Sequence, residues 1–182
     1  MDKVYHGSNI GGLKIIEPRV SSHDKSFVYA STDIATATLF LARWNDYIFR
    51  VGYIDGKLHI VENYANALKD IYENKKGYIY VLNGEEFRKD DSLWCGEVIC
   101  EKACVVEECK AIKNILEELY TYSQHDFLEI YEYPNRPDFY PMDDSDLIEK
   151  LERDIKNWGN RDKRVEEFLK IHPNLANRVK NC

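Results

Sequence analysis

The sequence predicts an α+β protein, and three observations carry that prediction. Short β-prone runs at residues 3–5, 27–30 and 78–82 are separated by turn-forming residues. Ile112, Ile115, Leu116 and Leu119 recur on one face of a helix. From Asp143 onward the pattern is helical, with Leu147, Leu151, Ile155 and Trp158 at helical spacing. At 182 residues the chain is long enough to bury a full core as one main domain with an appended unit.

In chain order, residues 3–5 are the first strand, closed by Tyr5-His6-Gly7-Ser8. A strand ending in a His-Gly turn sets one imidazole and one exposed backbone segment at its mouth. Glycine lets a planar ligand approach the main chain there, because no Cβ intervenes. Residues 9–12 are a loop and 13–19 a connection broken by Pro18. Residues 21–26 are polar, with His23 facing solvent. The run Phe27-Val28-Tyr29-Ala30 stops at Ser31-Thr32-Asp33, where Ser31 or Thr32 caps a helix over 33–43.

Residues 47–53 and 57–61 are strands around a turn at Asp55-Gly56, with His59 structural. A short helix over 67–73 and a turn at 74–77 lead to the apolar central strand 78–82. The charged loop 83–91 precedes 92–100, a loop that enters a strand and carries Glu97 at its start. Residues 103–106 are the last strand and 111–122 the amphipathic helix. Residues 127–140 are aromatic and acidic, and Gly159-Asn160 separates two final helices that end before Pro173.

The charge is uneven. Residues 1–61 carry seven Lys+Arg and six Asp+Glu, whereas residues 117–149 carry ten acids and only Arg136. The overall charge of −7 disfavours extensive non-specific nucleic-acid binding. The acidic face at 126–149 suits a basic partner. Cys95, Cys100, Cys104, Cys109 and Cys182 contain no CxxC pair and match no usual zinc spacing, so no metal site is expected. Reduced cysteines, no apolar targeting segment and no long apolar run lead to the expectation of a cytoplasmic protein that does not enter a membrane.

Three pieces read together carry a family resemblance. Val4-Tyr5-His6-Gly7-Ser8, Val28-Tyr29-Ala30-Ser31-Thr32 before a helix, and Glu97 opening a late strand resemble the His-Tyr-Glu class of ADP-ribosyltransferases. That class includes diphtheria toxin and the poly(ADP-ribose) polymerases, and the opening is similar to small bacterial and phage-type proteins. The resemblance spans residues 1 to about 120. It implies a split mixed/antiparallel β-sheet core flanked by helices in a domain 1–122, with 123–182 a mostly helical extension packed on it.

It also implies a mono-ADP-ribosyltransferase that uses NAD, with Glu97, His6 and Tyr29 as the catalytic core and a protein or nucleic-acid acceptor. Cofactor contacts would come from His6, Gly7, Ser8, Arg19, Tyr29, Ser31 and Phe40. His6 would hold a ribose hydroxyl, Gly7 would read the carboxamide, Tyr29 would stack on nicotinamide and Phe40 would form the second wall. Arg19 would meet the phosphates. Phe40 replaces a tyrosine common in relatives, and Cys95 stands where others carry an acid or Gln. Those departures keep a non-catalytic nucleotide-binding module as the alternative, beside an NAD glycohydrolase or an RNA 2′-phosphotransferase-like enzyme.

Overall fold

The computed structural model of the chain describes residues 1–20, 26–90 and 93–179. Its larger sheet contains β1 (Lys3–Ser8), β2 (Ile15–Ile16), β3 (Arg19–Val20), β4 (Ser26–Ser31), β7 (Gly77–Asn83), β8 (Glu97–Cys100) and β9 (Cys104–Ile112). The order is β2-β9-β7-β1-β4-β3, with β8 also paired to β4, and the pairings are antiparallel. A smaller sheet has β5 (Phe49–Ile54), β6 (Lys57–Glu62) and β10 (Leu128–Tyr131) in the order β10-β6-β5. Asp55 and Gly56, at φ 50° and 80°, supply the positive-φ turn that a two-residue hairpin needs. β10 runs parallel to β6, so the fold is mixed α+β.

The helices are α1 (Ile34–Leu39), α2 (Ala67–Tyr72), α3 (Ile115–Gln124), α4 (Ser145–Trp158), α5 (Arg161–Ile171) and α6 (Ala176–Val179). α1 and α3 pack with the smaller sheet around Ala35, Leu39, Phe49, Leu58, Ile60 and Leu119. The other face of the larger sheet buries Val4, Val28, Ala30, Tyr80, Leu82 and Val98. Leu147, Leu151, Phe168, Leu175 and Val179 form a third core in the extension.

Four local expectations are corrected. The helix expected over 33–43 is only Ile34–Leu39, and its cap is Asp33, whose carboxylate accepts the Ala35 and Thr36 amides. β9 continues to Ile112, so α3 starts at Ile115, later than expected; pairing with β7 through Gly77↔Ile112 outweighs helical periodicity there. No strand is expected within 127–140, yet β10 lies there and ties residues 128–131 into the smaller sheet. Asp144 and Asp146 are turned inward from the supposed acidic face. Arg136, with a 2% exposed side chain, donates to both, and Arg50 also donates to Asp146. Charge reversal there would break buried ion pairs before it tested any surface.

The helical part of the extension is fastened to residues 46–50. The Tyr47 hydroxyl donates to Asp154 at 2.6 Å, Lys150 pairs with Asp46 at 3.1 Å, and His172 Nε2–H donates to the Tyr47 carbonyl at 2.6 Å. Burial lowers the His172 pKa, opposed in part by that hydrogen bond and the Asp144 charge. His6 is lowered for the same first reason. Both rings bind fewer protons folded than unfolded. Their contribution is therefore complete above about pH 6.5 and is lost as pH falls through the lowered values. Melting temperature should fall on going from pH 7.5 to 5.5. In His172→Gln, which keeps a donor for Tyr47, that dependence should flatten.

Candidate functional site

β1 pairs with β7 along its full length, from Lys3↔Asn83 to Ser8↔Tyr78, but meets β4 only at Tyr5↔Ser31. β4 is held instead by β8, from Val28↔Cys100 to Ser31↔Glu97. Beyond Tyr5 the two strands therefore part. His6 bridges the opening, its Nδ1–H donating to the Tyr29 carbonyl at 2.7 Å. That bond fixes the proton of the neutral ring on Nδ1 and leaves Nε2 as an acceptor. Burial and the Arg19 charge both favour the neutral form.

The opening holds a cavity of about 510 Å³. Its lining brings together His6, Gly7, Ser8, Arg19, Tyr29 and Phe40, six of the residues singled out from the sequence. Arg19 is exposed and makes no ion pair among the described residues, so its charge stands at the rim. Gly7 has a structural duty beside any ligand contact. A Cβ there would lie 2.5 Å from the Ala37 carbonyl oxygen, so glycine is what lets α1 lie against β1.

Ser31 and Glu97 stand apart from this lining. Ser31 is 2% exposed, and its Oγ accepts the Asp33 amide at 3.1 Å, which commits it to the turn into α1. Tyr5, Ser31 and Glu97 form one row across β1, β4 and β8. Paired residues share a sheet face, as do residues two apart, so Glu97 projects on the Tyr29 side about 7 Å along the strand. Glu97 Oε2 accepts the Trp94 amide at 3.3 Å, and the Glu97 amide donates back to the Trp94 carbonyl at 2.9 Å.

Gly96 adjoins that carboxylate. The rings of Trp94 and Tyr53 already occupy its Cβ direction, at 2.6 and 3.0 Å, so the glycine serves ring packing. Phe40 follows α1, is 45% exposed, stacks on Trp44 at 6.2 Å and meets Trp94 edge-on at 6.1 Å. An aromatic chain thus links the cavity rim to the Glu97 turn. Cys95 is exposed. His23 with the rest of residues 21–25, Ser92 and Cys182 lie outside the described residues.

Tyr80 was missed because it sits in an uninterrupted apolar run. Its hydroxyl donates to the Ile10 carbonyl at 2.8 Å and accepts the Leu13 amide at 3.3 Å, pinning the loop that borders the cavity. Tyr80→Phe leaves both partners unmade and should cost about 1–3 kcal/mol, measured by denaturant unfolding. The alternation Tyr78-Ile79-Tyr80, which puts both hydroxyls on one sheet face, was the signal available in the sequence.

Among the described residues no group of three His, Cys, Asp or Glu could hold a metal ion, and no helix is long and apolar enough to cross a membrane. Compared with protein-family models, curated proteins and solved structures, the chain matches none.

Proposed function

We propose that this protein is an NAD-dependent mono-ADP-ribosyltransferase that binds the nicotinamide end of NAD between β1 and β4. The single observation that carries this reading is the parting of those strands after Tyr5↔Ser31, with His6 spanning the gap and Tyr29, Phe40 and Arg19 around one cavity. A cavity of this size suits a small-molecule ligand. Tyr29 offers a face for the nicotinamide ring, the β1 backbone at Gly7 offers hydrogen bonds to its carboxamide, and Arg19 offers a fork for phosphate oxygens.

Neutral His6 accepts a hydrogen bond from a ribose hydroxyl at Nε2. Cleaving the nicotinamide–ribose bond builds positive charge on the sugar, as in glycoside hydrolysis. Glu97, on the same sheet face as Tyr29, stabilises that charge and orients the ribose. Nicotinamide leaves with the bonding electron pair, and the acceptor nucleophile takes its place on the ribose carbon.

Two observations favour a second reading, a nucleotide-binding module without turnover: the cavity lining stops short of Glu97, and the carboxylate is engaged by the Trp94 amide. Calorimetric titration with NAD tests the binding step common to both. Saturable binding, weakened about tenfold or more in Arg19→Ala, is expected from loss of a charge-assisted pair. Absence of NAD binding would exclude both readings.

A further inference from the structure

We propose that the cavity between β5 and α4 is a second binding site, which takes a planar ring carrying a phosphate or carboxylate, with Arg50 receiving the anion. This site is separate from the β1/β4 cleft and does not depend on the reaction proposed for it. The cavity measures about 550 Å³ and is lined by Arg50, Trp94, Phe139, Tyr140, Lys150 and Arg153 among others. Such a volume accommodates a small ligand.

Arg50 is the reason to assign a ligand. Its side chain is 12% exposed, and Nη1 donates to Asp146. Nε and Nη2 are sealed from water and have no hydrogen-bond partner. These two N–H groups form the parallel side-on fork of the guanidinium, which matches two oxygens of one carboxylate or phosphate. Buried donors of a cation are costly to leave unmade, and nearly all such groups in proteins find partners. The nearby charges do not supply one. Asp146 already serves Arg50 Nη1 and Arg136, Asp46 pairs with Lys150, and Glu149, exposed in the same lining, makes no ion pair with Arg50. Arg153, exposed on α4, makes no ion pair among the described residues and adds positive charge at the mouth.

The ring preference comes from the walls. Trp94 and Phe139, the latter 53% exposed, both line the cavity, and the Phe139 ring centre lies 5.0 Å from that of Tyr140. Tyr140 covers the guanidinium, with Arg50 Cζ 4.8 Å from its ring centre. Tyr140 belongs to residues 132–144, which contain no helix or strand. An entering anion reaches Nε and Nη2 as the Tyr140 ring turns off the guanidinium.

Calorimetry on Arg19→Ala, which lacks the cation of the β1/β4 cleft, provides the test. AMP, benzoate, adenosine and inorganic phosphate are titrated separately. AMP or benzoate should bind at one site about tenfold or more tighter than either adenosine or inorganic phosphate, since each of these lacks the anion or the ring. AMP ahead of benzoate assigns phosphate, and the reverse assigns carboxylate. Adding Arg50→Gln, which keeps an N–H for Asp146 but removes the fork, should abolish binding. Adding the surface change Phe139→Ala should weaken binding severalfold at unchanged melting temperature, and it decides the matter should Arg50→Gln fail to fold. The proposal is overturned if neither AMP nor benzoate saturates, or if binding ignores the Phe139 change.

Discussion

Glu97→Gln should reduce nicotinamide release from NAD by about 10²–10³-fold, the loss commonly seen when one preorganised charge-stabilising group is removed. The amide can still accept the Trp94 N–H, so the turn that carries it should persist. NAD affinity should change far less than the rate, because the carboxylate lies outside the cavity lining and on the proposed mechanism its main effect is on charge that develops during bond cleavage. Steady-state nicotinamide release and calorimetric NAD affinity, measured on the same preparation, separate these two effects. A parallel loss of affinity would mean that Glu97 binds ground-state NAD. An unchanged rate would remove it from the chemistry.

Gly7→Ala should destabilise the protein by about 1–3 kcal/mol, the usual cost of overpacking. For a chain of this length that corresponds to a melting temperature lower by roughly 2–12 °C. The new Cβ would meet the Ala37 carbonyl oxygen at 2.5 Å, a main-chain atom that cannot rotate away, so α1 must lift from β1. NAD affinity should fall with it, because Leu41 and Phe40, which follow α1, line the cleft. Gly77→Ala meets the Leu41 side chain at 2.7 Å, which can change rotamer, and should cost less. Gly52→Ala meets nothing within 4 Å and serves as the neutral comparison. If Gly7→Ala melts with Gly52→Ala, the close approach of α1 to β1 is wrong.

What could be read from the sequence follows the range of the forces involved. Strands with strong β-branched or aromatic patterning, such as residues 78–82, and the Asp55-Gly56 turn were legible because their signals are local. Two-residue strands β2 and β3 carry almost no local pattern and exist through their partners β9 and β4. α1 is shorter than its apolar pattern suggested: Asp33 binds the first amides, and after Leu39 the chain turns toward Trp44 and the aromatic contacts around Phe40. Arg136 holds Asp144 and Asp146 from nearby, but Asp146 also pairs with Arg50, 96 residues away, which no local pattern could show.

At the site, the motif residues His6, Gly7, Ser8, Arg19, Tyr29 and Phe40 do line one cavity. Motif reading treats each residue as having one purpose, and three positions depart from that. Ser31 spends its hydroxyl on the turn into α1, Gly96 makes room for rings, and Gly7 makes room for a helix. Tyr80 was hidden for the opposite reason: its ring belongs to the core while its hydroxyl holds the bordering loop.

The most direct test of the transferase reading is incubation of the purified protein with labelled NAD and a cell lysate, beside Glu97→Ala. Transfer of ADP-ribose label by the unaltered protein alone, with release of nicotinamide, is the predicted result, and the labelled fraction names the acceptor class. Binding of NAD with neither label transfer nor nicotinamide release would contradict the transferase and leave the cleft as a nucleotide-binding site.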